Sequence, residues 1–227
     1  MKYLVPLFLF VFSTSLFSQV GNDEYFSPFS IDTWIFGIAG NAAFDNNHAD
    51  LNSTGLSNKS NISNTSYNIN SRNGRMLFKN VAVGMDLQWS NNNQNIKPDP
   101  NPTNAEQIDY EVLGFIGLWG RFYQPFANDK YALFGEFSIG YLSYHDESNN
   151  KGNGQSIENH ITDADGLGYN LGLGASLFAT KHVAFELTAR YELGELTGKT
   201  TTLTEEELDF KINQKRINLL LGIQVYL

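Results

Sequence analysis

Along much of the chain, apolar and polar positions alternate with a period of two. In Tyr169 to Phe178, Tyr169, Leu171, Leu173, Ala175 and Leu177 fall on one side, and Gly168, Asn170, Gly172, Gly174 and Ser176 on the other. Side chains of an extended strand switch faces at every residue, so this pattern predicts a strand with one apolar and one small polar face. Val183 to Leu193 repeats it, with Val183, Phe185, Leu187, Ala189, Tyr191 and Leu193 opposite Glu186, Thr188, Arg190 and Glu192. Val81 to Trp89 sets Val81, Val83, Met85, Leu87 and Trp89 against Ala82, Gly84, Asp86 and Gln88. Arg216 to Leu227 sets Ile217, Leu219, Leu221, Ile223, Val225 and Leu227 against Arg216, Asn218, Gly222 and Gln224.

Four further segments read as strands. Tyr131 to Tyr144 places Leu133, Phe137, Ile139 and Tyr141 on one face, and Glu136, Ser138 and Gly140 on the other. Ile108 to Tyr123 carries large apolar groups on both faces; its charges assign Glu111 and Arg121 to the polar side, with Val112, Ile116, Leu118 and Phe122 opposite. Trp34 to Phe44 and the very polar Tyr67 to Phe78 complete a set of about eight. The links alternate strictly. Those at Phe78 to Asn80, Gln124 to Lys130 and Phe178 to His182 are short, whereas Asp45 to Ser66, Ser90 to Gln107, His145 to Gly166 and Gly194 to Asn213 are long and rich in polar residues. The long segments, with Asn91 to Asn93 and Pro98, Pro100 and Pro102, read as solvated loops. An even number of strands with short turns on one rim and long loops on the other is the pattern of an all-β, closed antiparallel up-and-down transmembrane barrel, its turns periplasmic and its loops extracellular.

The first residues fit that picture. Met1, Lys2 and Tyr3 precede an apolar run from Leu4 to Phe12 and a small, polar stretch from Ser13 to Gln19, the order of a secretory signal peptide. Residues 1–19 are therefore expected to be a signal peptide and 20–227 a single barrel domain. The chain has no cysteine, so it offers neither a disulfide framework nor a cysteine for lipid attachment. After the signal no run approaches the roughly 20 apolar residues of a membrane-spanning helix, and a closed barrel is then the spanning structure left. A formal net charge of −9 argues against a nucleic-acid partner.

Alternation does not say which face points outward, and a secreted ligand-carrying barrel would turn its apolar face in. Two features favour lipid outside. Gly168, Gly172 and Gly174 lie on the polar face, where a narrow interior needs small residues and a solvated strand would avoid poor β-formers. Trp34, Phe44, Trp89, Tyr123, Tyr144, Tyr169, Tyr191 and Tyr226 lie near strand ends, as interfacial aromatic girdles do.

With this pattern the chain resembles the small outer-membrane β-barrel family related to the OmpA transmembrane domain and OmpX. The resemblance covers nearly the whole chain after the signal, and its most specific part is the end: Gly222, Val225 and Leu227, with Tyr226 between them, have the spacing of the terminal-strand signal of such proteins. Leu227 stands where Phe is usual, and Leu220 where a polar residue is frequent. Gly120, Arg121, Phe122 and Tyr123 resemble the family's Arg and aromatic run before a periplasmic turn. The resemblance implies residence in the outer membrane of a Gram-negative bacterium, contact with its lipids, and recognition by the barrel-assembly machinery. No peptidoglycan-binding domain is expected after the barrel, so a wall-anchoring role is not implied.

An inward polar face gathers Asp86, Glu111, Arg121, Glu136, Glu186, Arg190, Glu192 and Arg216 in a lumen that eight strands leave only wide enough for side chains. Isolated buried charges cost several kcal/mol each, so these groups are expected to pair, Glu136 with Arg121 in particular, and to plug the barrel. His145, Asp146 and Glu147 could hold a metal or activate a nucleophile, but read as a loop end; His182 falls in a turn, and His48 and His160 in loops. Asp163, Asp165 and Gly166 read as turn formers, without the full spacing of a calcium loop, and Glu205, Glu206, Glu207 and Asp209 as a solvated acidic run. No catalytic, metal or cofactor site is expected. The function expected is a non-enzymatic membrane anchor whose extracellular loops meet a protein or glycan, with a small gated channel, a lipid- or peptide-processing enzyme and a component of an envelope secretion complex as alternatives.

Overall fold

The computed structural model describes residues 26–53, 56–98, 106–127, 129–152, 155–201 and 207–227; residues 1–19 and the acidic Glu205 and Glu206 lie outside them. Eight strands follow one another in chain order: β1 (Trp34–Ser53), β2 (Leu56–Phe78), β3 (Val81–Pro98), β4 (Glu106–Phe126), β5 (Tyr131–Gly152), β6 (Gln155–Phe178), β7 (Val183–Thr201) and β8 (Glu207–Tyr226). Each pairs antiparallel with the next, and β8 returns to β1 to close the barrel. Closure removes the sheet edges that lipid could not satisfy.

The turns of the short rim occupy the predicted places. Phe78 pairs with Val81 across the two residues Lys79 and Asn80, and Asn80 takes the left-handed conformation (φ 67°) that asparagine tolerates. At the opposite rim the structure departs from the sequence reading. The strands are 18 to 24 residues long, far beyond the roughly 9–11 that cross a membrane. Most of the segments read as long loops are paired strand: β1 and β2 stay in register as far as Ser53 and Leu56, β5 and β6 as far as Gly152 and Gln155. His48, His145, His160, Asp163, Asp165 and Gly166 accordingly sit in strands, and Asp163, Asp165 and Gly166 form no turn. Beyond the bilayer both faces meet water, so the period of two disappears from the sequence while the backbone ladder continues.

The outward face carries an apolar belt. Leu118, Leu173 and Ile217 are 71%, 73% and 79% exposed, and they are joined by Leu133, Leu171, Leu219 and Leu221. A continuous apolar surface of this extent is the face of a membrane protein. On β7 the belt runs from Val183 to Leu193, eleven positions, before Glu195 follows outward. Inward residues are small where neighbours are large: a Cβ on Gly174 would lie 2.3 Å from the Phe134 ring, and one on Gly172 would lie 2.6 Å from Glu136 Cγ.

Candidate functional site

Three layers fill the lumen. The lowest is aromatic and is completed by the segment before β1. Phe29 is buried between Tyr123, Phe178 and Tyr226, its ring centroid 5.3, 5.4 and 6.4 Å from theirs. The segment is tied to the rim by backbone hydrogen bonds from Asp32 to the Met76 carbonyl and from Asn80 to the Phe29 carbonyl. Ser27 adds a hydroxyl donated to Asp129, 3.0 Å away. Sequence reading missed this plug, since a lone Phe between turn residues carries no periodicity.

Tyr123 and Tyr226 belong to this layer and are fully buried, which corrects their place in an interfacial girdle. Both fall on the inward parity of their strands, beside Arg121 and Gln224, and the parity outweighs their nearness to the strand ends. Tyr144 likewise turns inward, against Leu113 and Leu142. Trp34, Phe44, Trp89 and Tyr191 do face outward.

Above the aromatic layer lies a charged one. Glu136 is its centre: Arg121, directly opposite it on β4, donates to Oε2 from Nη2 at 2.7 Å, Arg72 donates at 2.8 Å, and Arg190 donates to Oε1 at 3.2 Å. Arg121 also donates to both oxygens of Glu186, at 2.8 and 2.9 Å, and lies 3.8 Å over the Phe134 ring. Asp86 accepts from Ser138 at 2.6 Å and from Asn70, and meets Arg190 at 3.2 Å. Glu192 accepts from Gln88 at 2.7 Å. Three carboxylates (Asp86, Glu136, Glu186) thus share three guanidinium groups (Arg72, Arg121, Arg190), with Glu192 held beside them by Gln88, all at most 7% exposed. Such a layer is tolerable because nearly every charge has a partner of opposite sign. The sequence pattern does not single out Arg72. It lies on β2, whose outward face carries Ser71 and Asn73, so the strand shows no clean apolar face from which to read the parity.

Glu111 and Arg216 do not join this layer. They pair with each other at 2.9 Å, partly exposed, nearer the outer rim. At that level the lumen is divided. Leu113, Phe115, Leu142, Ala164 and Leu196 form an apolar cluster on one side. On the other side, Asn41, Asn64, Ser66, Asn68, Ser90, Asn92, Arg216 and Asn218 line a half-open cavity of about 290 Å³. It adjoins the closing seam, where β1 and β8 pair only from Ile35 and Tyr226 up to Gly40 and Leu221.

Outside the belt, His145 Nδ1 and Asp163 Oδ1 are 2.7 Å apart, both exposed. Burial, with Asp109 and Glu111 nearby, pushes the Asp146 carboxyl above its usual range, and burial with Asp146 and Glu111 pushes the Tyr144 hydroxyl up. Among the described residues no group of three or more His, Asp or Glu side chains is arranged to hold a metal ion.

The terminal residues close the ring. Leu227 and Trp34 exchange two backbone hydrogen bonds, at 2.7 and 2.9 Å, and a Cβ on Gly222 would lie 2.7 Å from Ala39. Val225 faces Phe36 across the seam, and Leu220 is buried inside.

Solved structures share this architecture. The crystal structure of the outer membrane protein OprG from Pseudomonas aeruginosa superposes with a TM-score of 0.51 at 14% identity, covering 87% of this chain and 96% of that one. The crystal structure of a major outer membrane protein from Thermus thermophilus does so with a TM-score of 0.51 at 9% identity, covering 86% and 99%. The chain is a transmembrane β-barrel of the outer-membrane type. No family model and no curated protein matches the barrel's sequence. Its likeness to these structures is one of fold.

Proposed function

We propose that the barrel is a non-enzymatic outer-membrane anchor, which holds four extended hairpins outside the cell for contact with a protein or glycan. The observation that carries this reading is the filled lumen. An aromatic layer around Phe29 and a charged layer around Glu136 lie one above the other, with side chains at most 7% exposed, a poor starting point for a channel. The hairpins supply the other half. Strands twice the length needed to cross the bilayer carry Asn, Ser and Thr well away from it, and they are stiffer platforms than loops.

Planar-bilayer recording of the purified protein tests the anchor against the channel. No reproducible conductance steps are expected. Regular steps at moderate voltage would overturn the anchor and make the charged layer a gate. The last strand, with Gly222, Val225, Tyr226 and Leu227, is the proposed contact for the assembly machinery, and Leu227→Asp is expected to slow membrane insertion in cells.

A further inference from the structure

We infer that the cavity beside the β1 and β8 seam is a binding site for one sugar ring, free or as the headgroup of a lipid in the outer leaflet. This goes beyond the anchor reading, which concerns the hairpins outside the membrane.

Three observations carry it. The first is unmet hydrogen bonding. Asn68 is 4% exposed, lines the cavity, and has no partner within the protein for either its amide nitrogen or its carbonyl. Asn91, 2% exposed, has an unpartnered carbonyl at the same cavity, as do Asn64 and Asn92, and the Asn218 nitrogen is also unpartnered. Burying such groups without partners is costly, so a ligand that satisfies several gains what the free protein forgoes. An amide that both donates and accepts matches a hydroxyl that does the same, and a sugar ring presents several in a row.

The second is charge. Arg216, the charged group of the lining, is already held by Glu111 at 2.9 Å and donates to Ser90 at 3.2 Å. The cavity therefore presents no free charge for an anion or a zwitterion, and its other polar side chains are neutral. The third is size and place. About 290 Å³ lies at the lower bound of the roughly 300–1,000 Å³ of small-molecule pockets, enough for a monosaccharide and too small for an oligosaccharide. The seam pairing stops at Gly40 and Leu221, and Phe44 and Ile217, the outward residues beyond it, mark the outer end of the belt, where lipid headgroups sit.

The test uses the refolded protein in a zwitterionic detergent, titrated by calorimetry and by amide NMR with glucose, octyl glucoside and glycine. Saturable binding of glucose, octyl glucoside or both, with shifts at Asn68 and Asn218, is expected. Glucose and octyl glucoside binding alike indicates a free sugar, and octyl glucoside alone a lipid headgroup. Asn68→Leu should weaken binding about tenfold, the loss of one to two hydrogen bonds, while Asn73→Leu on the outward face should leave it unchanged. Since Asn68→Leu replaces a buried unpartnered amide by an apolar group, its folded band on unboiled gels should persist and serves as the control. Absence of saturable sugar binding, binding indifferent to Asn68→Leu, or preference for glycine would overturn the inference.

Discussion

Gly172 faces Glu136 directly across the β5 and β6 ladder, and the Glu136 side chain occupies the place where a Cβ on residue 172 would be. A glutamate can ordinarily swing aside. This one is held by Arg72, Arg121 and Arg190 together. Gly172→Val should therefore destabilise the barrel by about 1–3 kcal/mol, the range of an overpacked interior. Urea unfolding in detergent micelles measures it, and a variant as stable as the parent would mean that Glu136 is not held in this position.

Removing the carboxylate at the centre of the layer should cost more. Glu136→Gln keeps the shape and leaves three guanidinium groups with one negative partner fewer, and a broken buried ion pair typically costs about 3–5 kcal/mol. A second change, Arg72→Met, should recover part of that loss, because it removes a charge that no longer has its main partner. The four urea midpoints of the cycle check this. Additive losses would mean that Arg72 and Glu136 do not act together.

The belt and the inward charges were legible because both are consequences of one period. From Val183 to Leu193 every outward position meets lipid and every inward one meets the lumen, so each residue reports its face. The pairing of Arg121 with Glu136 follows, since adjacent strands place them at one level. What escaped obeys no period. Phe29 plugs the barrel from a segment without strand character, and Arg72 lies on a strand whose outward face carries Ser71 and Asn73. The outer hairpins look like loops in the sequence because the alternation that marks a strand is imposed by lipid, and lipid ends near Phe44 and Ile217.

The outer rim should respond to pH through Asp146. Its carboxyl is pushed up by burial and by Asp109 and Glu111, so the folded hairpin of β4 and β5 holds this proton more tightly than the unfolded chain. Folding is then favoured at pH values below the ordinary carboxylate range, and this contribution is lost as pH rises through the raised folded value. Hydrogen exchange of the backbone amides around Glu111 and Asp146 should slow as the pH is lowered toward that range, after correction for intrinsic rates. Asp146→Asn should remove this pH dependence. If the variant retains it, another group at the rim is responsible.

The position of the membrane can be tested along a single strand. Leu173 lies outward on β6 between Leu167 and Leu177, the two ends of its apolar stretch, and Ile161 lies outward on the same strand beyond the acidic Asp163 and Asp165. An arginine near the bilayer midplane costs about 2–4 kcal/mol and one near the interface about 0–1, so Leu173→Arg should be strongly destabilising and Ile161→Arg nearly silent. Reversible unfolding from lipid vesicles measures both. In a water-soluble barrel the order would vanish, because an exposed arginine in place of an exposed leucine costs little on a solvated face. Equal, small effects at the two positions would therefore remove lipid from around the belt, whereas a loss confined to Leu173→Arg locates the bilayer against the middle of β6.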